Sequence, residues 1–181
     1  MSVDKKQNQS EAARTAKIYV ACLASYNAGI LHGRWIEAAQ SVEDINGEIQ
    51  VMLGASPEPS AEEFAIHDYE GFEGAELSEY CNIEDVVRLA RFIEEHGASG
   101  AKLLNHFDGN HDEAEAAFEN YAGEYKSLAA FAEELTEETL QIPESLVNYI
   151  DYVAMGRDME IGGDVFTIEA GFEQVHIFWN G

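Results

Sequence analysis

The sequence predicts an α+β fold built from small units. Three observations carry the prediction. Runs rich in β-formers and bounded by turn residues stand near the start. Apolar residues at helical spacing fill the middle. Two alternating runs around a short turn close the chain.

Lys17 to Ser25 (KIYVACLAS) reads as the first strand. Asn27-Ala28-Gly29 is a turn signal, and Ile30 to Glu37 (ILHGRWIE) reads as its hairpin partner. Ser41-Val42-Glu43-Asp44 resembles a capping box with Asp in the third place, opening a helix to about Leu53. Gly54 to Pro59 breaks that helix, and Glu63 to Tyr69 returns as a third strand. Asn82 can cap IEDVVRLARFIEEHG, with Ile83, Val86, Val87, Ala90 and Ile93 on one face and Gly97 as terminator. A short helix is expected around Ala101 to Phe107 and another near Asp112 to Tyr121. Gly123 to Gln141 (GEYKSLAAFAEELTEETLQ) reads as an amphipathic helix with one lysine and five glutamates. Pro143 occupies a helix-opening position before ESLVNYIDYVAM. Asp164 to Glu169 and Gln174 to Trp179 are two strands around Ala170-Gly171. The expected organisation is a flexible tail (1–16), an α+β domain (17–77), a central helical domain (78–122) and a C-terminal α+β domain (123–181).

The 181 residues include 35 acids against 10 bases, for a formal net charge of -25. With 46% hydrophobic residues the chain can still bury a core, so the charge does not imply disorder. No stretch approaches the roughly 20 apolar residues of a membrane span. The start, MSVDKKQNQSEAARTAK, has no apolar core of a signal peptide, so a cytoplasmic location is expected. Cys22 and Cys81 are far apart and have no CxxC partner, which fits two small buried thiols better than a disulfide or zinc site. Nucleic acid and anionic membrane would both be repelled by this charge. It favours a basic partner, or a surface adapted to high salt.

The distribution of charge says more than its sum. No Lys or Arg lies between Arg34 and Arg88, and Lys126 is the one base between Lys102 and Arg157. The acids in those gaps are singles and pairs set among core residues, so folding must spread them over a structured surface. Such a lattice costs stability through self-repulsion.

Other chemistries have weak support. Asp108-Gly109-Asn110-His111-Asp112, with Glu119 in the twelfth place, partly mimics a calcium loop, but Glu113 stands where the sharp turn needs Gly. An acidic helix start explains it better. The six histidines form no HExxH or similar pair, and His106 and His111 are five apart, off the helical face used for zinc. GxSxG, Walker and GxGxxG motifs are absent. Carboxylate pairs are too many for any one to single out a glycosidase. No catalytic, metal or cofactor residue is assigned, and no cofactor is expected. Tyr19, Tyr26, Trp35, Phe64, Phe92, Phe166 and Trp179 are expected mostly in the core, whereas Tyr69, Phe72, Tyr80 and Tyr121 lie near acids and read as exposed.

Duplex DNA carries one negative charge per about 1.7 Å of axis. A helix rises about 1.5 Å per residue, so acids at i, i+1, i+4 and i+5 approach that line density. Glu133, Glu134, Glu137 and Glu138 have this spacing. A folded carboxylate lattice could therefore occupy a DNA-binding groove, and cations within it would spoil the match.

IYVACLASYNAGILHGRWIEA, EEFAIHDYEGF, GEYKSLAAFAEELTEE and NYIDYVAMGRDME follow one another through the chain. Together they resemble the ArdA family of antirestriction proteins, over about Lys17 to Trp179. The resemblance implies an elongated DNA mimic of three small domains, dimerising through its C-terminal region and carried on mobile DNA. It implies a non-enzymatic inhibitor that occupies the DNA-binding groove of type I restriction-modification enzymes. The acidic surface expected to bind the partner comprises Glu62, Glu63, Asp68, Glu70, Glu73, Glu76, Glu79, Asp112, Glu113, Glu115, Glu119, Glu124, Glu133, Glu134, Glu137 and Glu138. A mimic aimed at another DNA-binding protein, or a halophile-adapted acidic protein, would share the composition.

Overall fold

The computed structural model describes residues 15–181. The expected tail lies outside the described residues except for Thr15 and Ala16. Ala16 is buried, and its carbonyl accepts the Ala38 N–H at 2.8 Å, so the fold includes that residue. The chain is mixed α+β, with two three-stranded antiparallel sheets among the described residues. It divides into two compact units, one ending at Gly97 and the other beginning at Ala98.

In the first unit, β1 (Lys17–Cys22) is the central strand of a sheet ordered β2-β1-β3, flanked by β2 (Gly33–Glu37) and β3 (Phe64–Glu70). The first strand is shorter than expected because Leu23–Asn27 turns into a short helix, α1. Ile18, Val20 and Cys22 alternate onto the buried face, as a half-covered antiparallel strand requires. Helix α2 (Val42–Gly54) contributes Ile45, Ile49, Met52 and Leu53 to the same core. Its start is the expected one: the Ser41 hydroxyl accepts the Asp44 N–H at 3.1 Å. That hydroxyl also contacts the Asp44 carboxylate at 2.6 Å, in place of the reciprocal backbone bond of a capping box. The loop after α2 is pinned by Ser56, whose hydroxyl meets Ser25 at 2.8 Å and the Cys22 thiol at 3.5 Å. Burial pushes that thiol up, but its hydrogen bonds with Ser25 and Ser56 outweigh burial and leave it below the ordinary thiol value.

Helix α3 (Ile83–His106) opens on Asn82, whose side chain accepts the Asp85 N–H and donates to the Asp85 carboxylate, both at 2.8 Å. Gly97 interrupts it at φ 59 and ψ -147, a backbone conformation that favours glycine. The expected terminator is therefore a break, with helical residues resuming directly beyond it.

In the second unit, β6 (Gln174–Trp179) is central in a sheet ordered β4-β6-β5, between β4 (Tyr121–Tyr125) and β5 (Val165–Gly171). Strand β4 corrects the sequence reading. Gly123 to Tyr125 pair with β6, and helix α5 is confined to Leu128–Thr139. Gly123 sits at φ 139, and the β-forming tyrosines flank it. Ser127 caps α5, accepting the Ala130 N–H at 3.2 Å, so the helix cannot begin earlier. Pro143 likewise opens no α-helix. Val147–Tyr149 form a 3-10 turn, and α6 (Tyr152–Gly162) starts at an Asp151 cap.

Phe131 of α5 packs with Val165 and Ile177 of the sheet, joined by Leu128, Leu135, Met159 and Val175. Aromatic contacts cover other parts of the sheet. Phe166 stacks on Phe178 at 5.0 Å and on His106 at 4.8 Å, while Phe118 of α4 (His111–Glu119) meets Phe178 at 5.6 Å. Several aromatics depart from the sequence reading. Phe72 is buried, whereas Tyr26, Trp35 and Trp179 are exposed. Tyr26 stands at the end of α1, and Trp35 lies on the sheet face that α2 leaves open, beside Tyr19 at 5.5 Å. Both cysteines are free; Cys22 is buried, and Cys81 is partly exposed rather than buried. Among the described residues no helix is long and apolar enough to cross a membrane.

Candidate partner-binding surface

All sixteen acids proposed from sequence are exposed. Seven belong to the first unit. Glu62 and Glu63 precede β3, Asp68 and Glu70 lie on it, and Glu73, Glu76 and Glu79 follow in the segment leading to α3. Glu73 adopts φ 52 in the turn after β3. In register, Asp68 stands opposite Tyr19, and Lys17 is flanked by Glu37 on β2 and Glu70 on β3.

Nine belong to the second unit. Asp112, Glu113, Glu115 and Glu119 lie on α4, Glu124 on β4, and Glu133, Glu134, Glu137 and Glu138 on α5. The α4 acids follow from local chemistry. Asn110 accepts the N–H groups of Asp112 and Glu113 at 3.1 and 3.3 Å, so two carboxylates stand in the first helical turn. This stretch of the calcium-loop mimic is a helix start. On α5, burial of Phe131, Ala132 and Thr136 turns the glutamate quartet outward.

Four of the described cations bond to groups outside this set. Arg91 directs its guanidinium to the carbonyls of Ala39 and Gln40, at 3.3 and 3.4 Å. Lys102 donates to the carbonyls of Glu169 and Ala170, at 2.7 and 3.1 Å. Arg34 pairs with Glu48 and Arg157 with Asp158, acids outside the proposed set. Glu133, Glu137 and Glu138 take part in no ion pair among the described residues. Glu134 accepts a hydrogen bond from the Tyr125 hydroxyl at 2.9 Å, and Glu124 stands 3.9 Å from His176.

The anionic field is felt by neighbouring phenols. Tyr125 ionises above its ordinary value, first because of partial burial, then through its bond to Glu134 and the charges of Glu134 and Glu138. Tyr121 is raised by burial and by Glu124. Tyr152 on α6 is raised by burial and by Glu137 and Glu133.

Exposure does not single out the sixteen. Glu37, Glu43, Glu84, Glu94, Glu144, Asp151 and Glu169 are equally exposed, and only Glu48 and Glu58 of the described acids are partly covered. The anionic surface is therefore wider than sequence spacing indicates. Strand pairing sets one of these, Glu37, opposite Lys17. Among the described residues no group of three metal-ligating side chains could hold an ion.

A family model described as antirestriction protein (ArdA) matches residues 18–174. No curated protein matches the chain.

Proposed function

The chain belongs to the antirestriction protein (ArdA) family, and on that premise we propose that it inhibits type I restriction-modification enzymes by occupying their DNA-binding groove. Its carboxylates take the places of DNA phosphates. One observation carries the reading: the α5 glutamates project from one helix with no cation placed among them, while Arg91 and Lys102 bond backbone carbonyls instead. A groove built for duplex DNA presents Lys and Arg, and it would meet this helix at a charge spacing close to that of the backbone. The interaction is shared among many exposed charges and weakens as salt screens them.

The chain acts as a stoichiometric inhibitor in the cytoplasm, and three small domains present its charges. It works as a homodimer joined through the C-terminal region. Leu140, Leu146, Tyr149, Val153 and Ile161 are exposed apolar residues there, and such residues support a self-association surface.

The test mixes the purified protein with a type I methyltransferase core and labelled DNA while salt is titrated. Release of DNA at low protein excess, weakening steeply with salt, is the expected result. No release by folded, dimeric protein would remove this target.

A further inference from the structure

A cleft of about 430 Å³ in the first unit is lined by Tyr26, Ile66, His67, Tyr69, Leu77 and Glu79. One of its lining residues sits at a β-bulge. Tyr19 pairs with Asp68 and the next residue, Val20, with Ile66, so His67 is the extra residue on β3. A bulge re-aims the side chain it carries. The His67 ring meets the Tyr26 ring edge-on at 4.7 Å. Tyr69 is held by an edge contact with buried Phe72 at 5.8 Å. On the open edge of β3, the Ile66 N–H donates to the Glu79 carbonyl at 3.2 Å, which fixes Glu79 beside the cleft.

The cleft thus combines two phenol rings, an imidazole, the apolar side chains of Ile66 and Leu77 and one carboxylate, with no Lys or Arg in its lining. The Glu79 carboxylate stands 3.7 Å from His67 Nε2, beyond hydrogen-bond distance, and half of its side chain is exposed to a ligand. Aromatic faces attract cations, and a planar guanidinium can stack on a ring while its N–H groups meet a carboxylate. We propose that this cleft is a receptor for one arginine side chain of the partner, a discrete anchor within an otherwise distributed interface. The proposal rests on the phosphate-mimic reading for the identity of the partner, but not for the cleft's chemistry.

The experiment follows Tyr26, His67 and Leu77 resonances by NMR in the full chain as N-acetyl-arginine amide is added. Neutral N-acetyl-citrulline amide serves as the shape control. Saturable shifts at these residues with the arginine compound, absent with citrulline and lost in Glu79→Gln, are expected. Tyr26→Leu, which leaves net charge unchanged, should weaken inhibition of the restriction enzyme roughly five- to tenfold. Shifts spread evenly over the acidic surface, or undiminished binding in both variants, would overturn the cleft. Failure of the wild-type protein to displace DNA would overturn the mimic reading, and leaves the arginine titration to be judged on its own result.

Discussion

The Tyr125 hydroxyl donates a 2.9 Å hydrogen bond to Glu134, linking strand β4 to the acidic helix α5. Sequence periodicity alone places both residues in one helix. The bond ties the orientation of the glutamate quartet to the sheet, and it requires a protonated phenol.

That requirement predicts alkaline sensitivity. Burial and Glu134 raise the Tyr125 value above the ordinary one of about 10. The unfolded phenol therefore ionises first as pH rises, so the unfolded state binds fewer protons. The stabilisation is complete below pH about 10 and is lost as pH climbs through the raised folded value. Tyr121 and Tyr152 act in the same direction. Denaturant midpoints measured from pH 8 to 11 should fall above about 10, and fall less steeply in Tyr125→Phe. An unchanged slope in that variant would show that the phenol does not couple to folding.

A second prediction concerns the first unit. A Cβ on Gly33 would press into the Val20 carbonyl oxygen and lie 2.9 Å from the Tyr19 ring. The clash is with backbone in the central strand, so side-chain rotation cannot relieve it. Gly33→Ala should cost about 1–3 kcal/mol of stability. Urea unfolding measures this, and a neutral substitution would mean that β2 shifts its register freely.

Much of this architecture was legible because local chemistry and tertiary packing agree. Ser41, Asn82 and the alternating Ile18-Val20-Cys22 pattern each mark the element that forms. The misreadings came where they diverge. Gly123 reads as a helix N-terminal residue, yet pairing with β6 recruits it into a strand that contains a bulge. Pro143 fits a helix start, but the helix waits for the Asp151 cap. Exposure of the acids was readable from composition, since unpaired carboxylates avoid burial. The cleft was not readable, because the one-residue register shift that places His67 in it leaves no mark on hydropathy.

Lys102 offers a third prediction. Its ammonium holds the Glu169 and Ala170 carbonyls at the turn joining β5 to β6. Lys102→Met should lower hydrogen-exchange protection around that turn while leaving α2 and β1 unaffected. Because the group is exposed, the global loss should stay below about 1 kcal/mol. Equal loss of protection in the first unit would contradict a local role.

The glutamate quartet allows stability and function to be set against each other. Glu133–Glu137 and Glu134–Glu138 are like-charge pairs one turn apart on α5. Each such pair destabilises a helix by roughly 0.2–0.5 kcal/mol. A quadruple Glu→Gln variant should therefore be more stable than the natural chain at low salt, by about 0.5–1 kcal/mol. The amide oxygen introduced by Glu134→Gln can still accept from Tyr125, so the helix remains anchored. If carboxylates stand for phosphates, the same variant should inhibit restriction less, and its inhibition should depend less steeply on salt. Single Glu137→Gln should leave inhibition nearly intact, since one exposed charge among many contributes little. Thermal unfolding and a restriction assay over a salt series decide the matter together. A quadruple variant that is more stable and equally inhibitory would show that α5 lies outside the interface. A large loss from Glu137→Gln alone would replace the distributed lattice with a single essential contact.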